Sequence, residues 1–142
     1  MKNLILISAT LVLSATATLA QTTPGDQFMQ SWDLNSDGIA TLEELREMRD
    51  NVFYTFDANE DGYLDAEEYV MFDEARQNDV SNYEADQREH MQAVADGMSL
   101  SHSDTNGDGR VEQSEFLTGT DRWFADLDND RSGGITLVDF AR

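Results

Sequence analysis

The chain has 142 residues, with 29 Asp and Glu against nine Lys and Arg, a formal net charge of −20, 39% apolar residues, one proline and no cysteine. That length suits one compact domain or two very small ones, each with a modest core. Without cysteine there are no disulfides, thiolate metal sites or thiol nucleophiles, and so acidic a chain is repelled by nucleic-acid backbones and anionic membrane surfaces. Its natural counter-charge is a cation.

Met1-Lys2-Asn3 gives a short positive start, residues 4–13 are apolar apart from Ser8 and Thr10, and Thr18-Leu19-Ala20 closes a run of small residues. This is the pattern of a secretory signal peptide, and the apolar run is too short to span a bilayer. Residues 1–20 are therefore expected to be cleaved after Ala20. The remaining domain, 21–142, would be bacterial, periplasmic or secreted, and free of the membrane. It keeps eight arginines against 29 carboxylates, a balance of −21.

Met29 and Trp32, spaced i, i+3, predict a short helix leading into a twelve-residue segment, 33–44. That segment sets Asp33, Asn35 and Asp37 at alternate positions, then Gly38 at position 6, Ile39 at 7, Thr41 at 9 and Glu44 at 12. Leu42, Leu45, Met48, Val52, Phe53 and Phe56 then form one stripe with no Gly or Pro, predicting a single helix of fifteen residues, roughly 22 Å long. A second segment, 57–68, repeats the first with Asp57, Asn59, Asp61, Gly62, Tyr63, Asp65 and Glu68. Residues 66–77 and 83–98 both carry helical periodicity, with 78–82 as the turn between them.

A third segment, 104–115, holds Asp104, Asn106, Asp108, Gly109, Arg110, Glu112 and Glu115, and Leu100 is its one matching anchor because Ser103 directly precedes it. Phe124 and Leu127 lead into a fourth, 128–139, with Asp128, Asp130, Ser132, Gly133, Gly134, Thr136 and Asp139. This one departs at position 5, Ser132, and at position 12, Asp139. The sequence stops at Arg142, so almost no helix is expected to leave it.

The pattern D-x-[DN]-x-[DN]-G-x₅-E is thus complete three times and nearly complete a fourth, in phase with apolar flanks. In these residues the chain resembles the EF-hand superfamily, over nearly all of 27–142. The resemblance implies an all-α fold: a compact helical domain with four metal loops and short inter-loop helices. It implies up to four Ca²⁺ ions, with side-chain oxygens at positions 1, 3, 5 and 12, the carbonyls of Ile39, Tyr63, Arg110 and Gly134 at position 7, and position 9 often acting through water. Carboxylates at positions 1, 3, 5, 9 and 12 number three, four, four and three from loop one to loop four. Loop two is expected to bind most tightly. Loop four, with its shorter terminal carboxylate, is expected to be weakest and most tolerant of Mg²⁺.

Loops one and two start 24 residues apart, as do loops three and four. A straight helix between neighbours holds its two loops at opposite ends. Loop two is therefore predicted to pair with loop three through Leu64 and Val111, and loop one with loop four through Ala40 and Ile135. Gly119 leaves open a break in the last inter-loop helix and ordinary pairing there. Export, small size and short spacing also give a partial resemblance to the lanmodulin family of bacterial rare-earth-binding EF-hand proteins. Those loops carry Pro at position 2, where this chain has Leu34, Ala58, Thr105 and Asn129, and favour Asp at position 9, which only Asp65 supplies. The gap between loops two and three is also longer. Ca²⁺ is accordingly the default ion, with lanthanides as alternative cargo.

Met29, Met48, Met71, Met91 and Met98 suit core filling better than a soft target groove. His90 and His102 are not spaced as a zinc pair. The carboxylate pairs read as loop ligands or solvated helix faces, and no nucleophile–base pair or phosphate-cradling loop is present. The leading expectation is a non-enzymatic Ca²⁺ protein in a structural, sensor or buffer role. The alternatives are rare-earth sequestration and a calcium-switched adaptor for a protein partner.

Overall fold

A computed structural model describes residues 23–141; the expected signal peptide lies outside the described residues. In chain order these form α1 (Asp26–Trp32), α2 (Leu42–Phe56), β1 (Tyr63–Leu64), α3 (Ala66–Ser81), α4 (Arg88–Asp96), α5 (Leu100–Ser103), β2 (Val111–Glu112), α6 (Gln113–Leu127) and a final 3₁₀ turn (Leu137–Phe140). The chain is mostly helical, and its fifteen-residue α2 matches the stripe that predicted it.

Positions 9 and 12 of each loop also start the next helix. The Thr41 side chain accepts from the N–H of Glu44 while the Glu44 side chain accepts from the N–H of Thr41, and Asp65 with Glu68 and Thr136 with Asp139 form the same reciprocal cap. Such a box satisfies amide donors that the first helical turn leaves free.

β1 pairs antiparallel with β2, with Tyr63 opposite Glu112 and Leu64 opposite Val111. At the other end Ala40 and Ile135 exchange both backbone hydrogen bonds, at 2.8 and 2.9 Å. Loop two therefore lies beside loop three, and loop one beside loop four. This topology makes α2 and α6 antiparallel, and the contacts along them agree: Arg46 meets Asp121, Arg49 reaches the Phe116 carbonyl, and Gln113 donates to Asp50. α6 runs unbroken through Gly119, where an added Cβ would come within 3.3 Å of Arg49 Nη2. The glycine makes room for the arginine and does not break the helix.

The four bridging residues, Ala40, Leu64, Val111 and Ile135, are completely buried. They cap a core in which Phe53, Phe72 and Phe116 meet at one end while Phe28, Trp32, Trp123 and Phe140 meet at the other. Each large apolar side chain withdrawn from water contributes about 2 kcal/mol.

Two expected boundaries move. α3 continues to Ser81 because no Gly or Pro stops it, and the following helix starts at Arg88 instead of residue 83. Tyr83 is buried at the turn, and its carbonyl accepts from Arg88 Nε at 2.9 Å. That contact uses the backbone group a continuous helix would have needed. Met29, Met91 and Met98 join the core, while Met71 is exposed.

Candidate metal centre

Each loop folds around the carboxylate at its first position. Asp33 accepts from the amides of Asp37 at 3.2 Å and Gly38 at 2.8 Å. Asp57 does the same from Asp61 and Gly62, Asp104 from Asp108 and Gly109, and Asp128 from Ser132 and Gly133. The side-chain oxygen at position 3 accepts from the amide at position 5 in every loop, through Asn35, Asn59, Asn106 and Asp130. In the first three loops the position-5 carboxylate accepts in turn from position 7: Asp37 from Ile39, Asp61 from Tyr63, and Asp108 from Arg110. Successive side-chain oxygens thus fold back onto the amides of their own loop.

The sharp bend is set by Gly38, Gly62, Gly109 and Gly133, with φ of 90°, 83°, 86° and 89°. Such values suit a residue lacking Cβ. Position 4 is also left-handed, at Ser36, Glu60, Gly107 and Arg131.

The twelfth residue closes the ring. Glu44 Oε1 accepts from Asn35 N at 3.1 Å and Oε2 from Thr41 N at 2.9 Å, joining the two ends of its loop. Glu68 accepts from Ala58, Asn59 and Asp65. Glu115 accepts from Asn106, Glu112 and the Thr105 hydroxyl. The Thr41 backbone N–H holds the Glu44 carboxyl below its usual range, with burial opposing and the Thr41 hydroxyl and the Asn35 and Leu34 amides assisting. Glu112's amide is the main cause of the same lowering at Glu115, again against burial and with help from Thr105 and Asn106. Both carboxyls are thereby held in the anionic form a cation requires.

Loop four keeps this plan with shorter parts. Asp139, though one methylene shorter than Glu, still accepts from Asn129 N at 2.9 Å and Thr136 N at 2.8 Å. Carboxylate oxygens of Asp128, Asp130 and Asp139 lie within 4.8 Å of one another. The Ser132 hydroxyl differs in role, donating to the Gly134 carbonyl at 3.0 Å. Two of the expected ligand oxygens, at positions 5 and 7, are thus tied to each other.

The residues at position 7 meet across each pair of loops, a feature the sequence reading missed. The Arg110 guanidinium stacks over the Tyr63 ring at 4.1 Å and pairs with Asp108 at 3.5 Å, linking loop two to a donor of loop three. At the other end, a Cβ on Gly134 would fall 2.3 Å from Ile39 Cγ2. Once Leu64 is set against Val111, the neighbouring position-7 residues must approach, so the pairing was itself the available signal. Thr41, Asp65 and Thr136 at position 9 serve as helix caps, and the Glu112 amide donates to Glu115 Oε2 at 3.0 Å.

The donor sets contain oxygen alone, most of it anionic, and suit a hard cation such as Ca²⁺ better than a soft or borderline metal. The EF-hand family model matches residues 48–73, which span loop two with the end of α2 and the first half of α3, and residues 104–118, which span loop three and the start of α6. In these two segments the chain is similar to the EF-hand family, a calcium-binding family. No match was found among curated proteins or among solved structures.

Proposed function

We propose that this chain is an exported, non-enzymatic Ca²⁺-binding protein whose folding is completed by the ions its four loops take up. The observation that carries the reading is that in all four loops backbone amides hold the carboxylates at positions 1 and 12, and in loop four the carboxylates of Asp128, Asp130 and Asp139 lie within 4.8 Å of one another. Repulsion among 29 carboxylates opposes compaction, and four divalent ions would reduce a mature charge of −21 to −13. Binding free energy then becomes folding free energy. Extracellular modules of this kind often bind at about 10⁻⁴ to 10⁻³ M, a range matched to steady external calcium.

Within this reading loops two and three, with four carboxylates each, bind more tightly than loops one and four, and loop two, with Asp65 at position 9, binds most tightly. Loop four is weakest and tolerates Mg²⁺, because Asp139 is short and Ser132 offers a neutral hydroxyl where the other loops have a carboxylate. Export rests on residues 1–20. The deciding experiment follows circular dichroism and melting of chelator-stripped protein as Ca²⁺ is restored. Helix content and melting temperature should both rise; unchanged curves would refute metal-coupled folding.

Rare-earth sequestration is the second reading, favoured by the four-carboxylate donor sets of loops two and three. Tb³⁺ emission sensitised by Tyr63, competed with Ca²⁺ and La³⁺, separates the two. Preference for La³⁺ by many orders of magnitude supports cargo binding, whereas comparable competition leaves calcium as the ion.

A further inference from the structure

A cleft of about 320 Å³ opens between α4, α5 and α6, lined by none of the loop oxygen donors. Its inner wall is apolar, formed by Val94, Leu127 and the indole of Trp123, whose Nε1 donates to the Val94 carbonyl at 2.9 Å. Gly97 lets that indole lie in place, for a Cβ there would sit 2.5 Å from Trp123 Cδ1. A cavity of this size and lining is within the range of small-molecule sites, from about 300 Å³ upward.

Four polar side chains stand on the lining: His90, His102, Arg122 and Asp126. Both histidines of the chain therefore reach one cleft, although their spacing gave no sign of it. Arg122 and Asp126 lie one turn apart on α6, both exposed, yet no ion pair joins them, and neither side chain hydrogen-bonds to another described residue. By contrast Arg46, Arg76 and Arg110 each pair with a carboxylate. His102 is steadied by a 2.8 Å hydrogen bond between its Nδ1 and Ser99 Oγ, and the His90 ring stands edge-on to Phe140.

Charge narrows the class of ligand. A chain of net charge −20 repels a molecule of net negative charge, while Arg122 at the site opposes a simple cation. A molecule carrying both signs meets neither objection. We propose that this cleft binds a free α-amino acid, with Arg122 taking the carboxylate, Asp126 the ammonium, and Val94, Trp123 and Leu127 an apolar side chain. Arg122 supplies the planar fork that matches a carboxylate. The imidazoles of His90 and His102 complete the lining.

Calorimetric titration of the purified, Ca²⁺-saturated protein tests this, using L-leucine, N-acetyl-L-leucine and L-leucinamide, each up to about 10 mM. Free leucine should bind, and both blocked forms should bind at least about tenfold more weakly, since each removes one charge-assisted contact. Arg122→Gln should bring leucine down to the affinity of leucinamide, and Asp126→Asn to that of N-acetyl-leucine. Absence of heat with leucine, equal binding of all three, or unchanged binding in the double variant would overturn the proposal. The three ligands compared on the unmodified protein decide the matter even where a variant misfolds.

Discussion

Arg49 is completely buried, yet its guanidinium makes one hydrogen bond, from Nη2 to the Phe116 carbonyl at 2.6 Å, while Nε and Nη1 have no partner. The rings of Phe116 and Trp123, with centroids 4.6 and 5.3 Å from its Cζ, supply the remaining attraction. Desolvation lowers its pKa to about 10, with Tyr69 acting in the opposite direction. A buried cation so poorly paired costs more than an apolar side chain of similar length. Arg49→Met is therefore expected to raise stability by about 1–2 kcal/mol in urea titration at fixed Ca²⁺ near neutral pH. The lowered pKa means that, above about pH 10, the folded chain holds fewer protons here than the unfolded chain. This residue's contribution consequently improves with rising pH, and the advantage of methionine should shrink above about pH 10.

Between elements, the join of α4 with α6 at Gly97 is sensitive to volume. Gly97→Ala drives a methyl group into the edge of Trp123, 2.5 Å from Cδ1 and 2.9 Å from Nε1, and strains the bond from Nε1 to Val94. Destabilisation of about 1–3 kcal/mol is expected, with a shift in tryptophan emission as the measurement. Helix existence was legible in sequence because apolar stripes such as Leu42, Leu45, Phe53 and Phe56 are local. The start of α4 was not, since it depends on burying Tyr83 and on Arg88 claiming the Tyr83 carbonyl, both decided by packing.

Over the whole molecule, the two antiparallel helices α2 and α6 divide the loops into one pair at each end. A change in one loop should reach its bridged partner before its neighbour in sequence. Glu44→Gln removes the charge closing loop one and should weaken ion binding at loop four about tenfold, through Ala40 and Ile135, with smaller effects at loops two and three. Site-resolved NMR titration with Ca²⁺ checks this. Equal weakening of loops two and four would show that α2, not the bridge, carries the coupling.

The sequence by itself determined the loops and the turn chemistry around them. Oxygen donors at alternate positions, a glycine at the sixth and a carboxylate at the twelfth specify a fold within twelve residues, where every partner is close along the chain. It also pointed to the pairing, because a fifteen-residue helix without Gly or Pro is stiff and keeps its ends apart, but it left a break at Gly119 open until the structure showed α6 continuous there. Only the tertiary structure decided that Gly119 makes room for Arg49, that Arg110 lies over Tyr63, and that His90, His102, Arg122 and Asp126 share a cleft. These contacts join residues distant in the chain, and their geometry follows from how whole helices pack against one another.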